Sequence, residues 1–317
     1  SGTTSVTAFA SLAIYDAQTL SLTADIAGSF TLEVLKGTLM AMDERLMAVR
    51  PHPDQINTAA NIRAILKDSP MLERYRGHRV QDALSIRCMP QLHGPVKKAV
   101  KDAQTTLAIE LNSSVDNPLI FDEEDGGAVA LMGCNADGTY AGMASDNLCI
   151  AITDLCKMSN SRIDRLLNSL VSELPAFLNK NADFNNGLMM IQYASAGLQG
   201  ELRILAHPAV VDNLTTCANQ EDYVNMGYNA AKKAYDSMHL AKYILAAELI
   251  CDGQALDCYE DKRCAKGTQA IYDLLRTKVP EMDNDMPLTP YLEAVAQQII
   301  DRAYIRTVEA SVGELKF

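Results

Sequence analysis

The chain lacks the cysteine spacing of a metal site or a disulfide framework. Its eight cysteines are scattered singly through 317 residues, with no Cys-x-x-Cys pair and no histidine spacing that would complete a zinc site. Reduced thiols in a cytosolic protein, and no metal, are the expectation. Positive charge is also short. The 28 Lys and Arg face 40 Asp and Glu, for a formal net charge of -12. That argues against a nucleic-acid partner or an anionic membrane surface, both of which need clustered cations. No apolar run reaches the roughly 18 residues of a membrane-crossing helix and no signal peptide opens the chain, so a cytoplasmic location is expected. Internal repeats and low-complexity linkers are absent too. What is plentiful is core material: 48% of the residues are hydrophobic, ample for one large domain or two smaller ones. Small-molecule chemistry suits that balance.

Apolar positions recur with helical period along most of the chain. Residues 4 to about 36 set Val6, Phe9, Leu12, Ala13 and Leu20 on one face. Further helices are predicted over 54–68, from Pro95 to Leu111 with Pro95 in the first turn, and from 139 to about 174. Another runs from Gly187 to about Ala206 behind Asn185 and Asn186 as caps, with Met189, Met190 and Tyr193 read as core packing. The polar stretch 215–227 opens the longest helix, running to about Cys258, whose stripe of Ala234, Met238, Ala241, Leu245 and Leu249 permits close packing. Helices over 262–277 and from 291 to about 312 complete the pattern. Residues 112–138 form the one long break, where Asp122 to Asp125 and Gly126-Gly127 read as a solvated turn, with room for a short hairpin around Ile120 and Val129. The fold expected is all-α, a bundle of long, roughly antiparallel helices forming mainly one unit over 1–317, with 259–317 as a smaller C-terminal subregion.

The segment Gln81-Asp82-Ala83-Leu84-Ser85-Ile86-Arg87-Cys88-Met89-Pro90-Gln91-Leu92-His93-Gly94 concentrates an acid, a fixed cation, two amides and an imidazole. Arg87 offers a planar fork of donors that matches a carboxylate two oxygens at a time. It either holds such a ligand or pairs with Asp82 and pins the loop. Within Asp116-Asn117-Pro118, Asn117 either faces a pocket or caps a helix end. Gln192 on the predicted 187–206 helix is an amide that needs partners, and a substrate can be one.

This segment resembles the signature of the aromatic amino acid ammonia-lyases, the family of histidine and phenylalanine ammonia-lyase. Four more blocks follow in the family's order: Asn112-Ser113 with Asp116-Asn117-Pro118-Leu119; Gly187-Leu188-Met189-Met190-Ile191-Gln192-Tyr193; His207-Pro208-Ala209; and Ala218-Asn219-Gln220-Glu221-Asp222-Tyr223-Val224-Asn225-Met226-Gly227. The resemblance implies a fumarase/ammonia-lyase-like helical core, a homotetramer with sites assembled from several subunits, and loss of ammonia across Cα and Cβ of an amino acid. It implies that Arg87 clamps the substrate carboxylate, that Gln81 lines the same site, and that Asn117 lies near the carboxylate, with Gln192 and Gln220 as further substrate contacts. Glu221 matches a position where histidine-type members carry an acid and phenylalanine-type members an amide. A carboxylate can hold an imidazolium or accept the Cβ proton, which an amide cannot, so Glu221 points to a histidine-like substrate. The plainer reading of Glu221 is an acid at a helix N-terminus.

The family's electrophile, a methylidene-imidazolone ring, forms from an Ala-Ser-Gly tripeptide, and no Ala-Ser-Gly occurs in these residues. The resemblance therefore implies a C-terminal portion that works with an upstream, electrophile-bearing half and is inactive without it. The opening Ser1-Gly2-Thr3-Thr4, with Ser1 where the family has Asn, reads as an artificial or processing boundary. Two positions depart from the pattern. Leu84 stands where the family has a Tyr with an acid/base role, and Ala136 where it has a Phe packed beside the ring. Two other readings stand beside the lyase: elimination from a betaine such as ergothioneine without the electrophile, and a non-catalytic helical assembly subunit.

Overall fold

The structure, a computed structural model, describes residues 2–181 and 183–317; Ser1, and with it the expected Asn position, lies outside them. The long helix α1 (Thr4–Val34) leads into the shorter α2 (Glu44–Ala48), α3 (Pro53–Ile65) and α4 (Pro70–Arg74). The polar segment then folds as α5 (Leu84–Arg87) and the start of α6 (Met89–Glu110). A hairpin of β1 (Leu119–Asp122) and β2 (Ala128–Leu131) precedes α7 (Thr139–Leu167), α8 (Ser169–Ser172), α9 (Met189–Leu205) and α10 (Gly227–Asp257). The order ends with α11 (Lys266–Arg276), α12 (Thr289–Ile300) and α13 (Ala303–Val312). The all-α expectation holds, and the two strands pair antiparallel with Ile120 opposite Ala130 and Phe121 opposite Val129.

The direction of the helices is set by contacts at both ends of the bundle. α1, α7 and α10 run the same way. Their starts meet where a Cβ on Gly138 would lie 3.4 Å from Val6 and 3.2 Å from Asn225. Far along all three, Thr31 bonds Glu248, which also binds Arg162. α6 and α9 run opposite to them: His93 and Lys97, early in α6, reach Asp25 late in α1, while Gln192 reaches Asp164 and Gln199 reaches Thr153. The bundle is thus antiparallel only between the central trio and its flanks, because the segments 35–138 and 168–226 return the chain to the starting end before each new long helix.

Several expectations need correcting. The sixth helix begins at Met89, not Pro95, and Pro95 lies inside it. Gly94 makes this tolerable, since the clash that a proline imposes on the preceding Cβ is absent. That glycine also brings α6 against α3, where a Cβ would lie 2.7 Å from the Gln55 nitrogen. The last predicted helix is two, divided at Arg302, whose φ is 58°. Asn185 and Asn186 do not cap α9; instead the Asp285 carboxylate accepts the N–H groups of Asn186 and Gly187. Nor are Met190 and Tyr193 core residues: α9 buries Ile191, Ser195, Gln199 and Leu202, and turns Met190 and Tyr193 to the outside. Leu12 is likewise exposed.

One apolar cluster contains buried residues from Val6 to Leu315, and two buried polar networks are set into it. In the first, Asp25 accepts Lys97 Nζ at 2.6 Å and Asn61 Nδ2 at 2.8 Å, with His93 Nδ1 at 2.8 Å. Burial opposes the charge of Asp25, but Lys97 and His93 hold its carboxyl below its ordinary value. Burial also lowers the His93 pKa against the pull of Asp25, which favours the neutral imidazole. In the second, Glu248 accepts from Ser159 and from Arg162 Nε and Nη2, and Asp252 sits beside it. Burial and the charge of Glu248 push the Asp252 carboxyl well above its ordinary value.

Candidate active site

Arg87 ends the short helix α5 and is half-buried. Its Nε is enclosed without a hydrogen-bond partner, and the guanidinium makes no ion pair among the described residues. The Asp82 pairing is therefore not formed. Asp82 does pin the loop, but by accepting the Thr38 N–H at 2.8 Å. Burial pushes its carboxyl up against the opposing effects of Thr38, Arg79, Arg165 and Arg87. Gln81 is exposed and, with Arg79, Asp82 and Arg165, lines a cavity of about 290 Å³. Leu84, where the family has a Tyr, is 61% exposed and has no proton to exchange.

The other predicted residues lie on loops at the starting end of α7 and α10. Asn117 is exposed, and its Oδ1 accepts the Gly133 N–H at 2.8 Å, tying the base of the hairpin and capping no helix. Ala136 is half-buried just before α7, and the neighbouring Asp137 accepts the Thr139 N–H at 2.9 Å. Gln220 and Glu221 are exposed on the loop that precedes α10. Glu221 is not in the first turn of that helix, which carries no acid, so the helix-dipole reading falls away. It is held instead within its own loop, where Thr216 Oγ1 donates to Glu221 Oε2 at 2.9 Å and the two backbones form a bridge. Just before it, Cys217, Ala218 and Asn219 all have left-handed backbones, with φ of 50°, 54° and 70°. Such conformations cost energy in residues with a side chain and occur where surrounding contacts impose them.

Gln192 belongs to neither group. Its Nε2 donates to Asp164 at 2.7 Å, so its amide already has a protein partner.

Within one chain the two groups are far apart. α7 has 29 residues, about 44 Å at 1.5 Å per residue. At its start Thr139 bonds the Tyr223 hydroxyl, beside Glu221. Near its end Arg162 donates to the Ser85 carbonyl, beside Arg87. Arg87 and Gln81 therefore occupy one end of the bundle, and Asn117, Ala136, Gln220 and Glu221 the other. Between them a groove of about 940 Å³ runs along α6, α7 and α9. It contains neither Arg87 nor Glu221, and Ile150, Asp154, Lys157 and Ser161 of α7 line it. Tyr140 and Met143 are exposed on the same α7 face.

Three residues that the sequence did not single out organise the Glu221 loop. Asp146 Oδ2 accepts the N–H groups of Ala209 and Val210 at 2.8 and 3.0 Å. Its Oδ1 lies 2.8 Å from Lys233 Nζ, a charge contact outside hydrogen-bond geometry. Lys233 in turn donates to the Leu205 and His207 carbonyls. Asn213 donates to the Asp222 carbonyl at 3.0 Å and accepts the Val224 N–H at 2.8 Å. The His207-Pro208-Ala209 block was the only hint, and it marks what is held and not what holds it.

An all-α bundle with an unpaired arginine at one end and a carboxylate-bearing loop at the other has the parts of a composite small-molecule site. The family model for aromatic amino acid lyases matches residues 1–277, and the chain belongs to that family. It is 40% identical over 316 residues to "Histidine ammonia-lyase 2" of Fusobacterium nucleatum subsp. nucleatum, an overlap of 99% of this chain and 61% of that protein. The chain thus spans about three fifths of the length of that relative. Among solved structures, histidine ammonia-lyase from Trypanosoma cruzi superposes with a TM-score of 0.88 at 32% identity, over 97% of this chain and 58% of the other. Tyrosine aminomutase from Streptomyces globisporus gives 0.92 at 28% identity, over 99% and 64%.

Proposed function

We propose that this chain is the C-terminal part of a cytoplasmic, histidine ammonia-lyase-like enzyme that eliminates ammonia from an α-amino acid to give an α,β-unsaturated acid. The observation that carries the reading is Arg87: a half-buried guanidinium, in a family block, with an enclosed Nε and no carboxylate among the described residues to satisfy it. A buried cation left unpaired is costly, and a substrate carboxylate would remove that cost.

Arg87 orients the substrate carboxylate bidentately, with Gln81 beside it and Asn117 near the same group through its free amide nitrogen. Glu221, flanked by Gln220, accepts the proton from Cβ; the C–H electron pair forms the Cα–Cβ double bond, and the C–N bond breaks with its pair leaving on ammonia. Leu84 cannot serve in this step, which is why the carboxylate takes it here. Leu84 and Ala136 leave a roomier, less polar pocket than the family pattern. Gln192, whose Nε2 is engaged by Asp164, contributes a further substrate contact through its amide oxygen.

The family's methylidene-imidazolone would come from an Ala-Ser-Gly segment outside these residues. The enclosed, unpartnered Arg87 Nε fits a site that another segment completes. The group would supply the electrophilic activation that lets ammonia leave. Because Arg87 and Glu221 lie at opposite ends of the bundle, we place each site between subunits of a tetramer, whose chains pack head to tail along the exposed face of α7 and bring the two groups together. A complementary N-terminal half is the other expected partner.

The relatives at about 40% identity do not favour elimination from a betaine such as ergothioneine, nor a purely structural role. The test is to assemble this chain with the electrophile-bearing segment, offer histidine and related amino acids, and follow the conjugated product by ultraviolet absorbance. A folded tetramer that releases no product from any amino acid would overturn the reading.

A further inference from the structure

We infer that Asn213 is the positioning residue of this site, acting on substrate only through Glu221. The inference rests on the role proposed for Glu221 and adds a residue outside the matched blocks. The loop from 213 to 226 has only one 3-10 turn, Cys217–Asn219, and the Thr216–Glu221 bridge as regular structure, yet it holds three consecutive residues in left-handed conformations directly before Gln220 and Glu221. Left alone, such a loop would relax to less strained backbones. Besides the Thr216–Glu221 bridge, three sets of contacts oppose that. Asp146 and Lys233 hold its root, from Leu205 to Val210, through a cluster whose carboxylate is 5% exposed. Tyr223 Oη and Thr139 Oγ1, 2.9 Å apart, tie the stretch after Glu221 to the start of α7. The Asn213 carboxamide closes the loop by binding the Asp222 carbonyl and the Val224 N–H together.

Only the last of these holds the backbone of that segment, on both sides of Tyr223 and immediately after Glu221. Both hydrogen-bonding faces of the amide are used, one donor and one acceptor, so the match is to asparagine and no other side chain of that length. Cutting it releases Asp222 and Val224 while leaving the buried root, α7 and α10 unchanged. Glu221 then keeps its charge and its Thr216 contact but loses its fixed direction. Misplacing a reacting group by about 1 Å costs on the order of 100-fold in rate.

The test uses the assembled enzyme, with histidine as probe and four forms: Asn213→Ala, Asn213→Asp, Glu221→Gln and the double variant Asn213→Ala with Glu221→Gln. Asn213→Ala should lower kcat about 10- to 100-fold with little change in KM or in the thermal midpoint. Asn213→Asp, which keeps the acceptor for Val224 N–H, should recover part of that. The double variant should be no slower than Glu221→Gln alone, because Asn213 has nothing left to position. Equal slowing by Asn213→Ala in both backgrounds would overturn the inference, as would a rate unchanged by Asn213→Ala. If Glu221→Gln itself turns over normally, the assignment of Glu221 has failed, and that result is separate from either.

Discussion

Replacing Asp252 with Asn should make the protein more stable, and by an amount that grows with pH. Glu248, Asp252 and Arg162 are fully buried, so two carboxyls share one guanidinium. Thr31 Oγ1 lies 2.7 Å from Asp252 Oδ1 and 3.0 Å from Glu248 Oε1. A hydroxyl has one proton to give, so one of those carboxyls must donate to it. Arg162 and Ser159 both point at Glu248. Asp252 carries the proton, donates it to Thr31, and leaves its Oδ2 unpartnered. Its pKa in the native state is raised, so above the ordinary 3.8 the unfolded chain releases a proton that the native chain keeps. That contribution to stability is full below 3.8 and falls as pH rises, by about 1.4 kcal/mol per unit until the native value is reached. Asn keeps a donor to Thr31 and has no proton to lose. In urea unfolding at pH 4, 5, 6 and 7, the gap between Asp252→Asn and the parent should widen by up to about 4 kcal/mol. A gap that stays flat would show that Asp252 is ionised in the folded protein and that the charge assignment is wrong.

Arg87→Lys replaces a planar fork with a point charge, and KM for histidine in the assembled enzyme should rise about 10- to 100-fold, with the fold unaltered by circular dichroism. His93→Gln should flatten the loss of stability between pH 7 and pH 5: burial depresses the His93 pKa, so its share of stability is present above about 6.5 and is lost as pH falls. Calorimetry at the two pH values would show it. Gly94→Ala sets a methyl 2.7 Å from the Gln55 nitrogen and should cost about 1–3 kcal/mol in urea unfolding. If residues 259–317 fold with the rest and not as a separate subregion, fluorescence and circular dichroism should report one coincident transition.

The helices were legible because each long one repeats a simple apolar period, and α1, α6, α7 and α9 end near Gly, Pro or Asn. The residues at which that reading slipped are those whose environment comes from elsewhere. Pro95 sits in mid-helix because Gly94 precedes it and α3 packs against that glycine. Asn185 and Asn186 give α9 no cap, and the backbone N–H groups just before that helix go to Asp285, a hundred residues away in sequence. Met190 and Tyr193 look like core on the page and face outward in the fold, on a surface that a single sequence cannot show to be covered. At the site, Arg87 and Glu221 were visible as residue types within matched blocks. Their separation was not, since no local pattern records which end of a 29-residue helix a loop returns to. Asn213, Asp146 and Lys233 left no signal because they act on backbone groups, and backbone groups are the same in every sequence.

Placing Arg87 and Glu221 at opposite ends of the bundle has a genetic consequence. If every catalytic centre borrows one group from each of two chains, then two different damaged copies can repair one another. Coexpressing a chain lacking only the guanidinium with a chain lacking only the carboxylate should leave about a quarter of the centres whole by random assortment. A single chain bearing both lesions, mixed with itself, should have none.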